Sequence, residues 1–161
     1  MNRRHWLCVA GACLVPSRVM AVSPDLLEPQ KAFRVSARLV PGGDVQVRFT
    51  VAHGYYLYRD KLRFSIEPAG AQVGAPHLPD GSIKNDEFFG TVVTYRGEVA
   101  IVIPARLPPG ADRLTLRIVS QGCADAGICY TPQDQRLVLT ADGAEAMPPA
   151  PRNLLDTLEG R

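Results

Sequence analysis

At 161 residues the chain is one domain of ordinary size, long enough to bury a real core. Its 18 Lys and Arg nearly balance 16 Asp and Glu, for a formal net charge of +2. That balance, with no basic face in the pattern, argues against a nucleic-acid partner.

The first residues read as an export leader. Arg3 and Arg4 form a basic start, Trp6 to Val15 an apolar stretch, and Val19-Met20-Ala21 a small-residue cleavage site. The stretch is too short to span a bilayer. The alternative is lipidation at Cys13 after Ala10-Gly11-Ala12. Cleavage after Ala21 removes Arg3, Arg4, Arg18 and no acid, leaving 15 basic against 16 acidic residues, net −1. It also removes Cys8, Cys13 and the sole Trp, so the mature chain keeps one cysteine pair, in a compartment where disulfides form.

Ser23 to Gln30 reads as an extended lead-in with Pro24 and Pro29. Phe33, Val35, Ala37 and Leu39 then alternate with polar residues, which predicts a strand with one buried face. A turn at Pro41-Gly42-Gly43-Asp44 returns the chain through Val45, Val47, Phe49 and Val51, and His53-Gly54 breaks that strand. Tyr55 to Tyr58 follows, then Leu62, Phe64 and Ile66 up to a turn at Pro68-Ala69-Gly70. Val73 suits an edge strand, because Pro76 and Pro79 exclude a central one. After a turn at Asp80-Gly81, Lys84 to Gly90 reads as a polar loop with two aromatics. Two strands joined at Arg96-Gly97 are predicted over Thr91 to Tyr95 and around Val99, Ile101 and Ile103. Beyond the turn at Pro108-Pro109-Gly110, Leu114, Leu116, Ile118 and Ser120 lead into the cysteine segment, and Gln135 to Thr140 forms a last strand. Eight or nine short strands without a long amphipathic helix predict an all-β antiparallel sandwich of immunoglobulin-like arrangement. The predicted domains are a leader over 1–21, a sandwich over 22–140 and a mobile tail over 141–161, with a helical turn or two at Asn153 to Glu159.

Cys123 and Cys129 are separated by five residues. Six steps of helix span roughly 9 Å and six of strand roughly 20 Å. A disulfide needs a Cα separation of about 4.4–6.8 Å. If the sulfurs pair, the backbone must double back, and Gly122 and Gly127 permit that. On spacing alone three readings stay open. A structural brace across so short a loop would contribute about 2–2.5 kcal/mol. The usual immunoglobulin brace joins the two sheets and packs on a Trp, which the mature chain lacks. A redox-active pair is the second reading. A metal site is the third, with only His53, His77 and Met147 as further ligands; the spacing is not that of a zinc clip, and no methionine cluster suggests copper.

The runs QGCADAGICYTP, YYLYRDKLRF and DEFFG at 86–90 together resemble the N-terminal periplasmic domain of the thiol:disulfide interchange protein DsbD, over about residues 24–140. The resemblance implies an immunoglobulin-like sandwich whose cysteine pair carries reducing equivalents without a bound cofactor or metal. A thioredoxin-like donor domain, itself reduced by a membrane reductase, supplies them. Oxidised periplasmic thioredoxin-fold proteins, such as disulfide isomerases and cytochrome c maturation thioredoxins, receive them. It also implies that Cys129 bonds to partners and Cys123 resolves the mixed disulfide. Phe88 stands where the family's loop aromatic caps the cysteines, with Gly90 as a hinge. Asp86 and Glu87 would raise the thiol pKa and shuttle a proton. Tyr56 and Tyr58 match aromatics around the family site, and Phe89 stands where the family often has Tyr. The family protein continues into membrane and thioredoxin-like domains. This chain stops at Arg161, so a stand-alone version served by separate partners is expected, an excised piece being the alternative. The functional expectation is a monomeric periplasmic protein-disulfide reductase within a relay. The competing one is an immunoglobulin-like binding or scaffold module with a structural disulfide, which fold alone does not separate from the first.

Overall fold

The computed structural model describes residues 26–148 apart from 68–70, 109, 112 and 144. The leader at 1–21, the turn at 68–70 and the helical turns at 153–159 lie outside the described residues.

Pro29 opens a one-turn helix, α1 (Pro29–Ala32), where the fixed φ of proline suits a first helical position. The lead-in is therefore not extended through Gln30. The amides of Lys31 and Ala32 bond back to Glu28 and curl the chain just before the first strand. Twelve strands follow among the described residues. They are β1 (Phe33–Leu39), β2 (Val45–Val51), β3 (Tyr55–Tyr58), β4 (Arg63–Glu67), β5 (Gln72–Val73), β6 (Ser82–Asp86), β7 (Gly90–Tyr95), β8 (Gly97–Ile103), β9 (Ala105–Arg106), β10 (Arg113–Ser120), β11 (Gly122–Ala124) and β12 (Gln133–Thr140).

The sheets run β1-β2-β8, β12-β10-β4 and β11-β3-β7-β6, with β5-β9 as a short extra pair. Among the described residues every strand pairing is antiparallel. Alternation drives the layering. Val35, Val47, Phe49 and Ile101 of the first sheet and Leu116, Ile118, Leu137 and Leu139 of the second share one buried cluster. This is the immunoglobulin-like sandwich that the pattern predicts.

The third sheet carries two departures. Lys84 to Asp86 belong to a strand rather than a loop. β6 pairs with β7 from Ser82↔Thr94 to Asp86↔Gly90 across a tight turn at 87–89. It is an edge strand with Ile83 78% exposed, so it lacks the apolar alternation that marks a strand in sequence. Also, β7 and β8 adjoin at Arg96 without pairing with each other. β7 lies between β3 and β6, while β8 pairs with β2, so the chain changes sheet at that corner.

Candidate functional site

β3 is buried along its whole length. Its alternate side chains go to opposite faces. Tyr55 and Leu57 enter the main core. Tyr56 and Tyr58 form a separate buried cluster with Cys123, and Val92 and half-buried Cys129 pack against it.

The cysteines stand on a narrow hairpin. β11 pairs with β3 in the register Gly122↔Leu57, Cys123↔Tyr56 and Ala124↔Tyr55. Gly122 has no room for a side chain, because a Cβ there would lie 2.6 Å from a carbon of the Phe33 ring. The chain reverses over residues 125–127. The Gly127 amide donates to the Ala124 carbonyl at 3.0 Å, and Gly127 takes φ 81 to complete the turn. The Ala124 amide then donates to the Ile128 carbonyl at 2.8 Å, and the Tyr130 amide to the Gly122 carbonyl at 3.0 Å. These two bonds flank Cys123 and Cys129, which become a directly opposed, non-hydrogen-bonded pair whose side chains face each other closely. Their Cα atoms are 4.0 Å apart and the sulfurs are bonded. The reversal that the spacing demands is thus made by backbone hydrogen bonds. Cys123 is wholly buried and Cys129 is the more open member.

Tyr58 links the sulfurs to a carboxylate. Its Oη lies 3.1 Å from Cys123 Sγ and 3.7 Å from Cys129 Sγ. A disulfide sulfur carries no proton, so the phenol proton goes to Asp86 Oδ2 at 2.7 Å. Tyr56 donates to the same oxygen at 3.0 Å. The Phe88 and Phe89 amides donate to Oδ1 at 3.0 and 3.2 Å, and Lys84 Nζ stands 3.5 Å from Oδ2. Burial alone would push the Asp86 pKa up. The bonds from Tyr58, the Phe88 amide, Tyr56 and the Phe89 amide outweigh it and hold the carboxyl at about 2. Burial, then the bond to Asp86, pushes the Tyr58 phenol well above its ordinary value. Near neutral pH the pair is therefore a carboxylate and a neutral phenol.

The aromatic rings continue the arrangement. Tyr56 meets Tyr58 edge-on at 5.4 Å, and Tyr58 meets Phe89 edge-on at 5.2 Å. Lys61 Nζ lies 4.1 Å over the Phe89 ring, with Lys84 4.8 Å and the Arg96 guanidinium 5.2 Å over Tyr56. Phe88, at 63% exposure, turns outward. With Glu87 and Asp86 it lines one wall of a cleft of about 140 Å³, whose opposite wall is Ala124, Asp125 and Gly127.

The structure thus gathers Cys123, Cys129, Tyr56, Tyr58, Asp86 and Phe89 into one contact network, with Glu87 and Phe88 on the cleft beside it. Sequence reasoning missed the three cations. Lys84 had a signal: on a strand it shares a face with Asp86, two residues away. Arg96 and Lys61 had none, since their ring partners lie far along the chain. Asp125 occupies the turn between the cysteines and also binds Arg96 in two parallel hydrogen bonds. Among the described residues no group of three His, Cys, Asp or Glu side chains is arranged to hold a metal ion.

Comparison with known proteins gives one consistent result. The family described as "Thiol:disulfide interchange protein DsbD, N-terminal" matches residues 23–141. The thiol:disulfide interchange protein DsbD of Ralstonia nicotianae is 39% identical over 146 residues, 89% of this chain and 23% of that protein. DsbD 2 of Pseudomonas aeruginosa is 42% identical over 127 residues, 78% of this chain and 20% of that protein. The chain therefore spans less than a quarter of the length of these two curated relatives. The solved DsbD N-terminal domain of Neisseria meningitidis, in its reduced form, superposes with a TM-score of 0.70 at 35% identity, over 78% of this chain and 97% of that one. A structure of the complex between the DsbD and PilB N-terminal domains of the same organism gives 0.65 at 35% identity, over 78% and 94%. The family that the sequence motifs resemble is the family found, and the chain belongs to the DsbD N-terminal domains.

Proposed function

We propose that this chain is a periplasmic carrier of reducing equivalents, acting as a protein-disulfide reductase component through Cys123 and Cys129. One observation carries the reading: hydrogen bonds of the hairpin backbone, not only the S–S bond, hold the two sulfurs opposed. Opening the disulfide leaves the register in place, so the dithiol and disulfide states differ little in fold. A brace has no need of that. The proposed unit is the exchange domain at 22–140 behind a cleaved leader at 1–21, with the tail at 141–161 beyond it.

Each group has a place in the exchange. A thiolate of the donor attacks Cys129 Sγ, the more open sulfur, and the Cys123–Cys129 bond breaks with its electron pair on Cys123. The Tyr58 hydroxyl, 3.1 Å from that sulfur, turns its proton from Asp86 toward the new thiolate and stabilises it as it leaves. Cys123 then takes up a proton. The donor's second thiolate attacks the mixed disulfide and releases Cys129. Two donor thiols become a disulfide, and two electrons and two protons now sit on Cys123 and Cys129. The same steps in reverse reduce an acceptor: Cys129 attacks and Cys123 resolves. At rest the Asp86 charge disfavours the Cys123 thiolate, which slows wasteful oxidation. Phe89 covers the Tyr58 side of the site, and Phe88 screens the cleft beside the cysteine loop. The donor is a thioredoxin-like domain coupled to a membrane reductase, and the acceptors are oxidised thioredoxin-fold proteins. A family relative solved with the PilB N-terminal domain supports a protein partner at this kind of domain.

The deciding experiment equilibrates the mature protein across a graded dithiol/disulfide buffer, traps thiols by alkylation and counts them by mass. A potential between about −180 and −270 mV is expected; one below about −300 mV marks a structural disulfide and leaves a binding module in its place. Cys123→Ser is expected to accumulate mixed disulfides with a thioredoxin-fold partner and Cys129→Ser to form none, as read on non-reducing gels. The reverse pattern exchanges the two roles. Phe88→Ala is expected to speed oxidation of the dithiol by small oxidants several-fold in stopped-flow traces, and an unchanged rate removes the screen. The fourth test concerns Asp86. A carboxyl held at about 2 when folded, and near the ordinary 3.8 when unfolded, stabilises the fold fully above that ordinary value. The contribution, about 2 kcal/mol by linkage, is lost as pH falls from about 4 towards 2. The difference in unfolding free energy between wild type and Asp86→Asn should shrink across that window, and a difference independent of pH would contradict the assignment.

A further inference from the structure

We propose that Arg96, acting through Asp125, is a positioning residue that holds the turn between the two cysteines and thereby sets the equilibrium between dithiol and disulfide. The proposal rests on the redox reading above and adds a residue to it.

Arg96 occupies the corner where the chain leaves β7 for β8. Its guanidinium donates to both oxygens of Asp125, Nη1 to Oδ2 at 2.9 Å and Nη2 to Oδ1 at 2.6 Å. Nη1 also donates to the Tyr55 carbonyl at 3.1 Å, and the group lies 5.2 Å over the Tyr56 ring. Asp125 is the first residue of the hairpin turn. Its own amide donates to the Gly54 carbonyl at 2.8 Å. Side chain and backbone of Asp125 therefore both anchor the turn to the start of β3, the strand that presents Tyr56 and Tyr58 to the sulfurs. A forked guanidinium meeting a carboxylate has two bonds and one orientation, so it constrains direction as well as distance.

Closing a disulfide within one chain depends on how often each thiol finds the other, an effective concentration set by the geometry between them. A turn tied down at Asp125 keeps Cys129 opposite Cys123 after the S–S bond opens. Freed from Arg96, the turn keeps its own hydrogen bonds but explores more orientations. The thiols then meet less often, so the disulfide is less favoured and the pair more oxidising. Both side chains are nearly half exposed, 46% and 48%. An ion pair at that exposure contributes little to global stability, so its loss is expected to leave the fold intact.

The test measures the equilibrium constant of the cysteine pair against a dithiol buffer in wild type, Arg96→Gln, Asp125→Asn, the double variant and Arg96→Lys, with unfolding curves of the oxidised proteins as a control for folding. Each single change should shift the constant toward dithiol by roughly three- to ten-fold, ten-fold being about 30 mV for a two-electron couple. The double variant should shift no further than the larger single change, because both remove one interaction. Arg96→Lys should fall between wild type and Arg96→Gln. If Arg96→Gln does not fold, Asp125→Asn, which spares the Arg96–Tyr55 bond, decides alone. Unshifted constants in folded variants, or fully additive shifts, overturn the clamp. A wild-type potential below about −300 mV with variants still shifted would retire the carrier reading and leave the clamp standing. A wild type in the carrier range with unshifted variants would retire the clamp alone.

Discussion

The site depends on a four-residue strand that is buried on both faces. Most strands of this domain bury one face and show the other to solvent. β3 cannot, because β11 and β7 flank it, the main core lies on one side and the cysteine cluster on the other. Alternation sends Tyr55 and Leu57 to the main core and Tyr56 and Tyr58 to the cysteine cluster. The same backbone thus registers the core and the cysteine pair. A shift of one residue would exchange the two faces and bury two phenols where hydrocarbon is needed.

Beside that strand lies one buried charge with several partners. A buried carboxylate without partners would be strongly disfavoured. Asp86 is surrounded by two phenol donors, two turn amides and an ammonium group. The turn amides belong to Phe88 and Phe89, so the charge that reaches the sulfurs through the Tyr58 hydroxyl also shapes the turn carrying the two aromatics. Tyr58 is the common member. It bonds to the charge, touches both sulfurs and carries the Phe89 ring. Whatever moves the turn alters the electrostatics of Cys123, and the reverse holds as well.

Much of this was legible in the sequence. Alternation in β1 and β2, with short apolar strands elsewhere, announced a sandwich, and two glycines near the cysteines announced a reversal. The motifs around Cys123, Tyr56 and Asp86 pointed to one family. What escaped has physical reasons. β6 is a polar edge strand, so its period-two signal sits in Lys84 and Asp86 rather than in apolar residues. α1 is a single turn, too short to show a helical period. The ion pair of Arg96 with Asp125 joins positions 29 residues apart, which no local pattern records. Phe88 and Phe89 are adjacent on a turn. Their order alone did not reveal that Phe89 is the ring packed against Tyr58 and Phe88 the one turned outward.

The edge of the first sheet carries a different protection. β1 ends the first sheet, and an unpaired sheet edge is a template for another chain. Here Ala146, beyond the last strand, pairs with Ala37: each amide donates to the other's carbonyl, at 2.9 and 2.8 Å. The protein's own chain occupies the edge at the middle of β1. A foreign strand adding along β1 would first have to peel that segment away. Contact with another chain is thereby biased away from the sheet margin opposite β8.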